Sequence, residues 1–140
     1  MTKHATLTWT GEQNNLRVKF DAGHEFEMHG PADAGGGTPM DYLLAAAAGC
    51  SAMDVIHILR RKRQQIEDVQ VEAEAVQADQ HPMAFTHGKF TYLVRGVNID
   101  PRAVERAIEL SQTSYCSASI MLKRAGMEIE TAYRIEETGQ

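Results

Sequence analysis

Excess positive charge is the first thing this 140-residue sequence lacks. Its 14 Lys and Arg face 19 Asp and Glu, for a formal net charge of -5. A nucleic-acid binder needs a basic face to neutralise phosphates, so that class is disfavoured. No apolar run reaches the ~20 residues a membrane span needs, so no membrane partner is expected. The opening stretch, Met1 to Trp9, is polar and strand-like, unlike a signal peptide. The expected location is the cytoplasm. Cysteine is scarce as well, with two in the chain. Two are too few for a four-cysteine zinc site, and a reducing compartment disfavours a structural disulfide. Buried inert thiols or redox chemistry remain.

Other absences narrow the chemistry. Three glycines, Gly35-Gly36-Gly37, could cradle an anion, but no Lys-Ser/Thr follows and no dinucleotide fingerprint is present. No G-x-S-x-G elbow or cysteine-protease signature supports a hydrolase. Strands and helices do not alternate as in a doubly wound sheet.

What is present reads as one α+β domain over residues 1–140 with mainly antiparallel sheet. Ala5 to Met28 reads as strands. Thr6, Thr8 and Thr10 alternate with Leu7 and Trp9, Leu16 to Phe20 alternates again, and Asp21-Ala22-Gly23 turns the chain into His24–Met28. Gly30 to Pro39 is a loop. Thr38 can cap a long helix, with Pro39 at its first position and Asp41 in its first turn. That helix runs to about Arg63. Its first half is apolar on every side, which marks a buried helix. The basic run Arg60-Arg61-Lys62-Arg63 reads as a solvated C-terminus that complements the helix dipole. Strands follow over Ile66–Ala78 and Phe85–Val97. A helix runs from Pro101 to Leu110, then a break over Gln112–Tyr115, a short helix over Ser117–Arg124, and a last strand over Met127–Ile135. About six strands give little area to cover a helix apolar all round. A homodimer with two such helices packed between two sheets solves that burial problem.

The cysteines sit differently. Cys50 lies mid-helix in apolar surroundings, where a thiol stays protonated unless a cation or donor comes near. Taken alone, it reads as a small core residue. Cys116 immediately precedes a helix start, where backbone N–H groups and the dipole favour a thiolate, so local physics makes it the more acidic thiol. Cys50, Asp54 and His57 share one helical face, at i, i+4 and i+7. Three ligands on one straight helix do not converge on a tetrahedral ion, so no metal is expected.

Two segments carry a resemblance. Gly36-Gly37-Thr38-Pro39-Met40-Asp41-Tyr42-Leu43-Leu44, continuing through Cys50-Ser51-Ala52-Met53-Asp54-Val55, resembles the OsmC/Ohr family of osmotically inducible and organic-hydroperoxide-resistance proteins. So does Glu109 to Ser119, with Tyr115-Cys116-Ser117 at its centre; Ile58 to Arg63 and His81-Pro82 look like the OsmC-like branch. The resemblance implies an intertwined homodimer with a long central helix buried between sheets. It also implies a thiol peroxidase without a bound cofactor. Cys50 would attack a hydroperoxide and become a sulfenic acid, Cys116 would condense with it to a disulfide, and an external thiol or dithiol would restore both. The family's assisting Arg and Glu point to Arg17, the arginine of the N-terminal strands, and to Asp41. The carboxylate position after the helix-opening proline is Met40 here, and Asp41 is the nearest acid. The alternative is a non-enzymatic dimeric scaffold or small-ligand binder of the same fold.

Overall fold

The computed structural model describes residues 1–30 and 37–139. The Gly35-Gly36 part of the glycine run lies outside the described residues. Two compact units divide the chain, residues 1–43 and 44–140.

The first unit is a three-stranded antiparallel sheet, β1 (Ala5–Trp9), β2 (Leu16–Phe20) and β3 (Glu25–Met28), in that order. Register explains its two faces, because directly opposed residues point the same way. Leu7, Val18 and Phe26 oppose one another, as do Trp9, Leu16 and Met28. The other face carries Thr8, Arg17 and Glu27 in one row. The apolar face is incompletely covered. Phe26 packs on Tyr42 with ring centroids 4.8 Å apart, and Val18 is buried, yet Trp9 is 63% exposed. Gly23, at φ +96°, makes the β2–β3 turn that an L side chain would strain.

Helix α1 (Pro39–Arg61) opens in this unit and continues through the next. Its start is a reciprocal cap. The Asp41 N–H donates to Thr38 Oγ1 at 3.2 Å, and the Thr38 N–H donates to Asp41 Oδ2 at 3.0 Å.

The second unit holds β4 (Gln65–Gln77), β5 (Phe85–Val97) and β6 (Glu128–Glu137), with β5 central. β4 pairs antiparallel with β5, but β6 pairs parallel to it. A parallel neighbour needs a crossover, and α2 (Pro101–Leu110) and α3 (Ser117–Arg124) supply it. Asp100 caps α2 by accepting the Arg102 N–H at 3.0 Å, and Pro101 takes its first position. Gly126, at φ +107°, follows α3 and turns the chain toward β6. The core joins Phe90, Tyr92 and Val94 of β5 to Val104, Ala107 and Ile108 of α2 and to Ala47, Val55 and Leu59 of α1.

Three expectations are corrected. The six strands form two separate three-stranded sheets, because the long helix interrupts the pairing after β3. The break before Cys116 is a single π-helical turn, Ser111–Tyr115, continuous with α2. In addition, α1 is 23 residues long with a mean hydropathy of 1.6 over its best window, enough by length and composition to cross a membrane. A core helix passes the same test, and one stripe of α1 (Ala47, Ala48, Ser51, Val55, Leu59) is buried in the protein. Another stripe is bare in the single chain, where Leu43, Ala46 and Met53 are exposed and Met53 reaches 71%.

Candidate active site

The two cysteines meet within the second unit. Cys50 lies on α1 and Asp54 is one turn further along. Cys116 is the cap residue of α3, in extended backbone at φ -78° and ψ 94°. Their two sulfurs and an Asp54 carboxylate oxygen all lie within 4.8 Å of one another. Both thiols are free, Cys50 half-buried and Cys116 buried.

The π turn is what delivers Cys116. The Cys116 N–H reaches back to the Ser111 carbonyl at 2.7 Å, closing the wide turn. That turn also sends two consecutive polar side chains inward, since both Ser111 and Gln112 are buried. The Cys116 sulfur accepts the Ser119 N–H at 3.4 Å. Its S–H has two acceptors in reach, Ser119 Oγ at 3.1 Å and the Ala47 carbonyl at 3.6 Å.

A buried hydrogen-bonded chain runs beside the thiols. Ser111 Oγ donates to Asp54 Oδ2 at 2.9 Å. A hydroxyl carries one proton, so the remaining directions follow. Ser51 Oγ donates to Ser111 Oγ (2.8 Å), Tyr92 OH donates to Ser51 Oγ (2.6 Å), and Gln112 Nε2 donates to Tyr92 OH (3.2 Å). The chain therefore ends on Asp54 as acceptor, which suits a carboxylate and holds it in place. Burial pushes the Tyr92 phenol above its ordinary value, so it remains a donor.

Burial also pushes the Cys116 thiol up, against the lowering effect of Ser119. The helix start was expected to make Cys116 acidic, and its thiol is raised instead. The Ser119 N–H does serve the sulfur, but desolvation of the charged form outweighs it. The Lys123 ammonium, held on the Gln112 carbonyl at 2.6 Å, is lowered by its own burial and in turn interacts with Cys116. It is a cation contributed by α3.

The other predicted site residues belong to the first unit and have local partners there. Arg17 lies on the polar sheet face and pairs with Glu27 at 3.7 Å, both exposed. Asp41 is engaged in the Thr38 cap. His57 is exposed and lines a cavity of about 540 Å³ with Asp54, Ile58, Arg61, Leu110 and Tyr115. The walls of this cavity are mixed. Ile58, Leu110 and Tyr115 are apolar, whereas Asp54 and Arg61 are charged.

Ser51, Tyr92, Ser111 and Gln112 were absent from the predicted site. Three of them lie inside the two motif segments already quoted. Tyr92 reads from sequence only as one more apolar-face strand residue.

Comparison with known proteins agrees with this architecture. Residues 30–132 match the family described as OsmC-like protein. Protein YhfA of Escherichia coli K12 is 35% identical over 129 residues, covering 92% of this chain and 90% of that one. A hypothetical protein from Aquifex aeolicus VF5 superposes with a TM-score of 0.88 at 24% identity, over 99% of both chains. The organic hydroperoxide resistance protein OhrB of Bacillus subtilis superposes with a TM-score of 0.65 at 16% identity, over 96% of this chain and 98% of that one. At such identities the two structures bear on the fold alone. The extent of the family match and the 35% relative establish that this chain belongs to the OsmC-like family.

Proposed function

We propose that this protein is a two-cysteine thiol peroxidase that reduces organic hydroperoxides, and hydrogen peroxide as a smaller substrate, in the cytoplasm. One observation carries the reading: two free thiols from α1 and the α3 cap, with sulfurs within 4.8 Å of each other. A disulfide needs the sulfurs at ~2.05 Å, so they must close by at most about 3 Å.

The different settings of the thiols support the roles proposed for them. Half-buried Cys50 is the one a peroxide can reach. Its thiolate attacks the outer peroxide oxygen, the O–O bond breaks, and the alcohol leaves with a proton. The resulting Cys50 sulfenic acid condenses with the Cys116 thiol, forming the S–S bond and releasing water. Cys116 keeps its proton until that step because burial holds its thiol up. Two equivalents of an external thiol, or one dithiol, then return both cysteines by exchange and become a disulfide themselves. Arg17 and Asp41 enter as proposed assistants, Arg17 polarising the peroxide and Asp41 orienting it. For that work each must exchange its present partner, Glu27 or Thr38.

The same reading includes a second copy of the chain. Leu43, Ala46 and Met53 form one bare stripe on α1, and Leu7 and Trp9 stand half-exposed or more on the first sheet. A homodimer buries such surfaces. Turnover of cumene hydroperoxide with a dithiol reductant tests the catalytic claim. Cys50→Ser is expected to abolish it, and full activity in that variant refutes the role of Cys50.

A non-enzymatic small-ligand binder is the second reading. It is favoured by Met40 at the usual acidic position and by the engagement of Asp41 in the helix cap. Slow, unpaired oxidation of the thiols by peroxide would select it.

A further inference from the structure

The same three groups support a second chemistry. We propose that Cys50, Asp54 and Cys116 form a binding site for a thiophilic divalent cation of the zinc class. The sequence offered Cys50, Asp54 and His57 on one helix, which cannot wrap an ion. The fold replaces His57 with Cys116 from the cap of α3. An i,i+4 pair on one helix then meets a third ligand from another element, and all three ligand atoms lie within 4.8 Å of one another.

The requirements of a metal site can be checked in turn. Thiolate and carboxylate are ligands zinc accepts, and bonds of about 2.3 Å in a tetrahedron place ligand atoms about 3.8 Å apart. Contraction by at most about 1 Å is then required, which is within reach of side-chain rotation. Outer partners are already in place. Ser111 holds Asp54 at 2.9 Å, and the Ser119 N–H meets the Cys116 sulfur at 3.4 Å. Asp54, one of the three ligands, also lines a solvent-open cavity, and solvent can fill the fourth position of a three-ligand site. Two thiolates and a carboxylate carry three negative charges against two positive ones. The Lys123 ammonium, which interacts with Cys116, offsets the excess.

Binding is balanced by proton release: two thiols and one divalent cation give a metal dithiolate and two protons. A sulfur held on the metal is unavailable to peroxide, and a Cys50–Cys116 disulfide cannot bind metal. Metal and oxidation therefore compete for one pair of sulfurs. Metal binding itself does not depend on the peroxidase reading; only its inhibitory consequence does.

The test is an anaerobic titration of the reduced, chelator-washed protein with Cd²⁺, followed by competition with Zn²⁺. The expected result is one cation per chain, a thiolate-to-cadmium charge-transfer band, and two protons released. Affinity should fall about 10-fold or more in Ser111→Ala, which frees Asp54, and further in Asp54→Asn. Circular dichroism melting identifies variants that remain folded. Absence of the band overturns the site. Equal affinity in folded Asp54→Asn and Ser111→Ala overturns the three-ligand geometry in favour of plain dithiol chelation. Peroxide-driven disulfide formation, followed by mass in parallel without metal, reports on the peroxidase reading separately.

Discussion

The surroundings of Cys50 and Cys116 are built in opposite ways. Cys50 stands half-buried in the middle of a helix whose bare stripe includes Met53. Cys116 is sealed at the end of a π turn, with a backbone N–H, a serine hydroxyl and a carbonyl around its sulfur. Position relative to a helix end, taken alone, ranks Cys116 as the more acidic thiol. Burial raises the Cys116 thiol instead, because a desolvated thiolate loses more than one N–H returns. A half-buried thiol beside a sealed one suits the proposed two-step disulfide mechanism.

The largest effect that would break this comparison comes from exchanging one cysteine at a time. Cys50→Ser should abolish peroxide turnover entirely. Cys116→Ser should still consume one peroxide per chain and stop at a Cys50 sulfenic acid, which a dimedone adduct would reveal by mass. Equivalent behaviour of the two variants would erase the assigned roles.

A pH series sharpens the same contrast. In Cys50→Ser, alkylation of the remaining Cys116 should stay slow until pH exceeds the ordinary thiol range, since burial raises that group. Stability carries the matching sign. A folded thiol with a raised pKa stabilises the fold fully below the unfolded thiol's pKa, and that contribution is lost as pH climbs through the folded value. Urea midpoints of Cys50→Ser should therefore decline above about pH 8.5, the ordinary thiol value. The decline should lessen in a variant that also carries Cys116→Ala. A midpoint that rises with pH in the alkaline range contradicts the assignment.

Smaller effects probe the support beneath the thiols. Tyr92→Phe removes a donor to Ser51 at 2.6 Å and should cost about 1–2 kcal/mol in urea unfolding. Thr38→Ala should cost about 1 kcal/mol by opening the α1 cap. Asp41→Ala breaks the same cap. If Asp41 also assists Cys50, that variant alone slows peroxide consumption, while Thr38→Ala changes stability only.

Much of this molecule was legible in the sequence, and the reasons are local. Alternation marked Leu16–Phe20 and Phe85–Val97 as strands, and β2 and β5 have those bounds. The helices read over Pro101–Leu110 and Ser117–Arg124 have those bounds as α2 and α3. Thr38 and Asp41 were readable as a helix start, and they cap each other. Long-range facts were harder to read. The parallel pairing of β6 depends on where the crossover returns, which no period in Met127–Ile135 encodes. The π turn was taken for a break because Gln112–Tyr115 has neither helical periodicity nor a turn signature. Asp54 was recognised only as a neighbour of Cys50 on α1. Its relation to Cys116, 62 positions away, exists only once the π turn has swung the α3 cap back toward α1.

The most direct test of the account is intact and peptide mass spectrometry of the reduced protein after one equivalent of cumene hydroperoxide at neutral pH, with hydrogen peroxide alongside. Rapid formation of an intramolecular Cys50–Cys116 disulfide, reversed by a dithiol, is the predicted result. Survival of both thiols, or oxidation of each without a bond between them, would contradict it.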